Sequence, residues 1–327
     1  MSKYTIASFF AGVGGIDLGF EQTGKFTTIY ANEFDPSPVQ TFEANFPIKV
    51  DPRDINIVPA NELPDFDVLL AGFPCQAFSI AGYRKGFEDE KGRGNLFFEL
   101  VRIIKEKNPR VAFFENVKNL VGHDNGNTFR VICEALDSLG YVYTYQVLNA
   151  MTYGNVAQNR ERIYIVAFRK ESDYQKFKWP HPLPLTSTVK DIIDFDNDVD
   201  EKYYYTPGKY KGDIYDQLVE SMRDDDPDSP AIYQWRRRYV RKNKSGVVPT
   251  LTANQGEGGH NVCLIKTRNG KIRKMTPREC FNTQGFPKDF KLPQNLRDSK
   301  LYKQAGNSVC VSVIHRIAEE VAKALEN

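Results

Sequence analysis

The sequence predicts an α/β fold: a sheet wound from alternating strands and helices, with a second, smaller domain placed before the final helix. Three observations predict it. Short apolar runs alternate with helix-period segments through the first half of the chain. A glycine-rich turn, Phe10-Ala11-Gly12-Val13-Gly14-Gly15, follows the first apolar run, and the regularity ends at Trp179-Pro180-His181-Pro182-Leu183-Pro184.

Residues 4–9 read as the first strand, 16–23 as a helix and 27–31 as the second strand. Strands at 68–71, 111–114 and 163–168 continue the series. Between them, 96–107 places Leu96, Leu100, Ile103 and Ile104 on one helical face, and its partner helix at 129–139 is stopped by Gly140. Each of the three alternating prolines disfavours helix at its own position and at the one before, which marks a boundary. From 187 to 280 the chain is acidic, then basic, then rich in Gly, Asn and Thr, without a βαβ period. Residues 311–325 form an amphipathic helix with Ile314, Ile317, Val321 and Leu325 on one side. The expected partition is therefore 1–186, 187–280, and a hinge and helix at 281–327 returning to the first domain.

A chain of 327 residues exceeds the usual single core. With 41% hydrophobic and 26% charged residues it has the composition of a soluble globular protein. No stretch reaches the roughly eighteen apolar residues of a membrane span, and the N-terminus lacks the blocks of a signal peptide, so a cytosolic (cytoplasmic) protein without a membrane partner is expected. Five cysteines, with no Cys-x-x-Cys pair, argue against a disulfide framework and against a zinc site. The net charge of +2 excludes little, but its distribution is uneven. Asp194, Asp196, Asp198, Asp200, Glu201 and Asp224-Asp225-Asp226 precede Trp235-Arg236-Arg237-Arg238-Tyr239-Val240-Arg241-Lys242-Asn243-Lys244. Basic residues interleaved with aromatics suit a phosphate backbone and unstacked bases; a solvated charged face explains them equally well.

Five segments carry chemistry. Pro74-Cys75-Gln76 ends the apolar run Val68-Leu69-Leu70-Ala71-Gly72-Phe73. Proline cannot donate to a sheet ladder, so the strand stops and Cys75 projects beyond the sheet edge, where open α/β sheets bind ligands. A lone cysteine is more often a small buried hydrophobe. The glycine turn lets backbone approach a ligand. It departs from Gly-x-Gly-x-x-Gly because Asp17 holds the third glycine position, and a carboxylate there suits a ligand with cationic parts better than a pyrophosphate. Phe10 offers a face for an adenine, and Glu33 ends the second strand where an acidic residue binds ribose hydroxyls. A plain glycine-rich turn accounts for the loop as well. Glu115 emerges from Val111-Ala112-Phe113-Phe114 into a poorly hydrated place, where burial favours the protonated form; a capping carboxylate is the alternative. Strand alternation would turn Arg160 and Arg162 the same way, as two charges converging on one face. Gln304-Ala305-Gly306-Asn307-Ser308-Val309 reads as a turn before the last helix, with Ser308 or Asn307 as its cap.

These motifs, in this order and spacing from residue 4 to the final helix, resemble the DNA cytosine-C5 methyltransferases, in particular the short bacterial restriction-modification type. The tract Gly-Phe-Pro-Cys-Gln-Ala-Phe-Ser with Lys85-Gly86-Phe87-Glu88-Asp89 looks like the family's catalytic loop. The resemblance implies a Rossmann-like S-adenosylmethionine-dependent methyltransferase sheet with a second, smaller target-recognition domain at 187–280. It implies that Cys75 adds to C6 of a flipped cytosine, that Glu115 contacts N3, and that Arg162, supported by Arg160, binds the base. S-adenosyl-L-methionine, converted to S-adenosyl-L-homocysteine, would meet Phe10, Gly12, Gly14, Gly15, Glu33, Asp54, Ile55, Pro74, Asn307 and Val309, with no metal. Double-stranded DNA would meet Ser79, Arg236, Arg237, Arg238, Arg241 and Thr250, and Gly82 and Gly86 would hinge the loop that carries Ser79. A modification enzyme acting as a monomer, with a cognate restriction endonuclease on the same site, is implied too. The tRNA-methylating branch shares the motifs but lacks a sizeable variable domain. A non-catalytic DNA-binding protein would not need Cys75, Glu115 and the arginine pair together, and Asp17 speaks against a nicotinamide-dependent oxidoreductase.

Overall fold

The computed structural model describes residues 3–74, 96–210, 212–236, 238–255 and 261–326. Cys75, Ser79, Gly82, Gly86 and Arg237 lie outside the described residues. The chain divides into two compact units, Met1–Leu148 with Glu161–His181 and Val313–Asn327, and Asn149–Arg160 with Pro182–Ser312.

The first unit is built on a six-stranded sheet. Its strands are β1 (Tyr4–Phe9), β2 (Phe26–Asn32), β3 (Val68–Ala71), β4 (Val111–Val117) and β5 (Val142–Asn149); a two-residue strand, β6 (Gln158–Asn159), belongs to the second unit, and β7 (Glu161–Phe168) completes the sheet. The order is β2-β1-β3-β4-β7-β5. β1 runs parallel to β2 and β3, and β3 to β4, whereas β7 is antiparallel to β4. The uniform βαβ period read from the sequence stops at β4, because β5 and β7 are neighbours in the sheet with only residues 150–160 between them. β5 carries Thr144 and Gln146 among half-buried residues at the sheet's edge, which is why it gave no apolar run.

Strand alternation sends Ala7, Phe9, Leu69, Ala71, Ala112, Phe114, Ile163 and Ile165 to one face. Helices α3 (Leu96–Lys107) and α4 (Asn127–Ser138) cover that face with Phe97, Leu100, Ile103, Ile132 and Leu136. α1 (Gly15–Glu21) lies on the other side, where Phe20 meets Phe113 at 5.3 Å between ring centroids. Seven residues are too few for a helix to persist alone, so α1 depends on this packing. α2 (Pro36–Asn45) starts at Asp35, whose side chain accepts from Ser37 N. The sequence reading passed over it. The final helix, α10 (Val311–Leu325), buries Ile314, Ile317, Val321 and Leu325 as its pattern required, and the Tyr4 hydroxyl donates to Leu325 O at 2.8 Å.

Because β1 has β2 on one side and β3 on the other, the chain leaves β1 and β3 in opposite directions. The crevice at such a switch point is the usual ligand site of an open α/β sheet. The turn at 10–14 and the segment Gly72-Phe73-Pro74 both stand there.

The second unit carries β8 (Tyr204–Tyr205), β9 (Tyr233–Trp235), β10 (Val240–Lys242), β12 (Cys263–Lys266) and β13 (Ile272–Lys274) in the order β10-β9-β12-β13-β8, all antiparallel. β11 (Val248–Pro249) pairs in parallel with β6. After the short helices α5 (Ala150–Gly154) and α6 (Glu171–Lys176), the last of which belongs to the first unit, α7 (Ile214–Ser221) packs Leu218 on Tyr233, Leu264 and Ile272. α8 (Pro277–Thr283) opens with a capping box between Thr276 and Glu279. Glu279 also takes both terminal nitrogens of the fully buried Arg273, at 2.9 and 2.8 Å, and the Asp194 N–H at 2.9 Å. The acidic run is tied to basic residues of its own unit: Arg268 to Asp196 and Asp228, Lys271 to Asp198.

The unit's limits differ from the 187–280 read from composition. Residues 149–160 join it through β6, and α9 (Asp298–Asn307) joins it through Tyr302, whose hydroxyl donates to Met275 O at 2.5 Å. Only α10 returns.

Candidate active site

The turn after β1 is held in an uncommon backbone conformation. Phe10, Gly12 and Gly14 have φ of 53°, 56° and 82°. A β-carbon on Gly14 would lie 2.3 Å from the Phe46 ring, so no side chain fits there. Glu33 ties this turn to the one after β2, accepting Gly12 N at 3.0 Å and Asp35 N at 2.9 Å. Burial pushes its carboxyl up, against the pull of the Asp35, Gly12 and Phe34 N–H groups. The Phe34 N–H bonds it as well, and a carboxylate with about four lone-pair sites then has one left for a ligand hydroxyl. Phe34 beside it is 69% exposed, an aromatic face that the sequence reading did not single out.

Asp54 caps a short turn, accepting from Asn56 N at 2.9 Å, and the Ile55 side chain is buried against the core. The geometry corrects the expectation for Asp17. It is fully buried, taking the Ser8 hydroxyl at 2.9 Å and the Thr28 hydroxyl at 3.2 Å, and burial pushes its carboxyl up to about 7. It fastens α1 to β1 and β2 instead of awaiting a cationic ligand, because the third glycine position of the motif has become the sheet-facing side of α1.

Glu115 lies within β4, not after it as expected from sequence. Arg162 Nε stands 3.2 Å from Glu115 Oε1, and both side chains are largely buried. Arg162 also donates to Glu161 O at 2.8 Å. Glu115 Oε2 is 3.7 Å from where a Gly72 β-carbon would be, and Asn116 Nδ2 donates to Phe73 O at 2.8 Å. The end of β4 thus holds the segment that precedes Pro74-Cys75 in the sequence. Asn116 was missed; a polar residue inside a buried strand was the available signal.

Arg160 does not share the β7 alternation. It sits between β6 and β7, and its guanidinium donates to Leu251 O at 3.0 Å, Gly306 O at 3.1 Å and Ser308 O. Gln158 donates to Thr283 O at 2.9 Å and accepts from Leu251 N at 3.2 Å. Thr250, expected to meet DNA, donates its hydroxyl to Asn159 O at 2.7 Å. The segment read as a turn at 304–309 is instead the end of α9, with Ser308 as its C-cap and Asn307 as its last residue. Gly306 is helical there for a packing reason: a β-carbon would lie 2.3 Å from the Thr252 carbonyl. Val309 is buried.

Of the basic stretch, Arg236 is half-buried and Arg238 and Arg241 are exposed. Among the described residues no cluster of His, Cys, Asp and Glu could hold a metal ion, and no helix is long and apolar enough to cross a membrane.

A family profile described as C-5 cytosine-specific DNA methylase matches residues 4–323. The chain belongs to this family. The methylase is 60% identical over 320 residues to the Type II methyltransferase M.Bsp6I of Bacillus sp. (strain RFL6), covering 98% of this chain and 99% of that one. It is 39% identical over 332 residues to the Type II methyltransferase M.HhaI of Haemophilus parahaemolyticus, covering 97% and 93%. Among solved structures, the methylase resembles the Entamoeba histolytica methyltransferase EhMeth in fold, with a TM-score of 0.74 at 18% identity and full coverage of both chains.

Proposed function

We propose that this methylase modifies the C5 position of a cytosine flipped out of one double-stranded DNA sequence, as the modification enzyme of a restriction-modification system. Family membership and 60% identity to a Type II methyltransferase support the substrate class. The observation that carries the residue roles is the Arg162–Glu115 pair beside Gly72, three residues before Cys75.

The turn after β1 fits S-adenosylmethionine: the backbone at Gly12 is open, a β-carbon there meeting only Phe10 O at 4.0 Å, Glu33 has acceptor capacity for ribose hydroxyls, and Phe34 presents an exposed ring. Phe10, Gly12, Gly14, Gly15, Glu33, Ile55 and Pro74 are the first unit's proposed contacts, with the Asp54 carboxylate shared between its Asn56 cap and the ligand; for Asn307 and Val309 the proposal rests on the family resemblance alone. When bound, S-adenosylmethionine supplies an electrophilic sulfonium methyl group.

Cytosine C5 is a feeble nucleophile, so the Cys75 thiolate adds to C6 and places electron density on C5. A free thiol is only a few per cent ionised at neutral pH, and basic neighbours favour the thiolate. Glu115, in its protonated form, donates that proton or a hydrogen bond to N3 as negative charge develops there, held in position by Arg162. Once C5 had gained the methyl group, a base such as a bound water would take the C5 proton, and β-elimination would release Cys75 as the thiolate. Arg160 fixes main-chain carbonyls within the second unit.

Incubation of random-sequence DNA with S-adenosylmethionine and the protein, followed by deamination sequencing, tests this reading; a single recurring methylated motif is expected. Methylation of RNA in a parallel arm, with DNA untouched, would reject it.

A further inference from the structure

The basic stretch holds more arginines than base reading needs, and their environments differ. Gln234 on β9 stands directly opposite Arg241 on β10 and Cys263 on β12. Its neighbours Tyr233 and Trp235 pack on the opposite face, with Leu218 and Leu264. Gln234 is itself buried, 3% exposed. Its Oε1 accepts from Arg241 Nη2, and its Nε2 donates to Asn261 O at 3.2 Å. Asn261 Oδ1 in turn accepts from Arg236 Nη1 at 3.1 Å. Two guanidinium groups therefore flank one buried amide through a continuous chain of hydrogen bonds.

The chemistry of the chain is selective. Its acceptors are neutral amides, which orient a guanidinium without cancelling its charge. Each contact engages an N–H of the planar guanidinium and so sets the orientation of its fork. Arg238 and Lys244 are different: both are exposed, and among the described residues neither side chain makes a hydrogen bond. Lys242 is held by Asp225 at 3.4 Å. An oriented fork matches the paired acceptors O6 and N7 of guanine, whereas a phosphate needs only a mobile charge.

We infer that Arg236 and Arg241 read guanine edges in the target duplex, that Gln234 and Asn261 are the positioning residues that fix them, and that Arg238 and Lys244 grip phosphate. This rests on the reading of the chain as a sequence-specific DNA methylase. A purely structural role for Gln234 would alter stability without altering which sites are methylated.

The test maps methylation on random-sequence DNA for the full chain and for Gln234→Met, Asn261→Ala, Arg236→Ala, Arg241→Ala and Arg238→Ala. The wild-type motif is expected to contain guanine besides the modified cytosine. Gln234→Met should raise methylation of single-mismatch sites relative to the cognate by about tenfold, with KM for cognate DNA rising more than kcat falls. Arg238→Ala should weaken binding to all sequences alike and reduce the slope of log affinity against log salt by about one. If Gln234→Met does not fold, Gln234→Glu retains the acceptor for Arg241 while cancelling its charge, and should change the preference at the same base position. A uniform loss across sites in the Gln234 variants, or relaxed specificity in Arg238→Ala, would overturn the assignment. Altered motifs in Arg236→Ala and Arg241→Ala with an unaltered one in Gln234→Met would reject only the positioning role. A wild-type motif in Arg236→Ala and Arg241→Ala, with a wild-type salt slope in Arg238→Ala, would reject the recognition reading itself.

Discussion

Arg162 reaches Glu115 across a diagonal of the β4–β7 ladder: it stands opposite Val117, two residues beyond Glu115, and its Nε closes to 3.2 Å from the carboxylate. In an antiparallel pair such a diagonal is within reach of a long side chain. The consequence is a carboxylate whose position is set by a neighbouring strand and not by its own flexibility.

Replacing this carboxyl by an amide, which can hydrogen-bond N3 but not give it a proton, should therefore act on chemistry. Glu115→Gln is expected to lower single-turnover methylation by about 10²–10⁴-fold, while DNA affinity in a binding assay falls much less. Equal losses in both would contradict contact with N3.

Cys75→Ser should abolish methyl transfer and covalent trapping on DNA, with S-adenosylmethionine binding by calorimetry close to wild type. Retained turnover would remove the nucleophile from the mechanism.

Arg160 satisfies three main-chain carbonyls from a position 2% exposed. Arg160→Met leaves these acceptors buried without the guanidinium, so a stability loss of about 3 kcal/mol or more in urea unfolding is expected. Arg160→Lys should recover only part of it, since an ammonium lacks the planar fork.

Asp17 has a carboxyl raised from 3.8 to about 7 by burial. A folded-state value above the unfolded one means that stability is fully present below about pH 4 and is lost as pH rises through 7. Asp17→Asn should flatten the stability profile over that window, and the difference between the two proteins should reach the order of 4 kcal/mol by pH 8. Parallel profiles for the two would show that Asp17 is ionised throughout.

Exchange of the target-recognition segment is sensitive to its boundaries. A graft of 187–280 cuts α8 inside Pro277–Thr283, whereas one of 182–310 keeps α8 and α9 whole and stops before α10 begins at Val311. The longer graft is expected to melt higher and to carry the donor's target; an unchanged target would place sequence selection elsewhere.

The first unit was legible wherever one periodicity dominated. Runs such as Val68–Ala71 and Ile163–Phe168 have no polar member, and α3 and α10 keep an unbroken apolar face. α2 was not legible, because it buries only Thr41 and Phe42. The turn-like letters Ala305-Gly306-Asn307 misled for another reason: what makes Gly306 necessary is the backbone of Thr252, more than fifty positions away. Glu115, Arg162 and the glycine turn were visible as motifs. The division of labour between Arg160 and Arg162 was not, since spacing gives the side on which a residue emerges but not the partner it meets. Similarly, Arg273 and Glu279 look like two surface charges until a buried strand and a capping box bring them together.

Arg160 also bears on how the chain can vary. Its acceptors are the carbonyl oxygens of Leu251, Gly306 and Ser308, atoms that every residue possesses. A side chain bonded to other side chains ties its partners' identities to its own; one bonded to backbone demands a path and leaves the letters open. Substitutions at 251 and 308 can therefore accumulate one at a time, with the arginine unchanged, so that new recognition loops can be tried beside a support that does not need rebuilding.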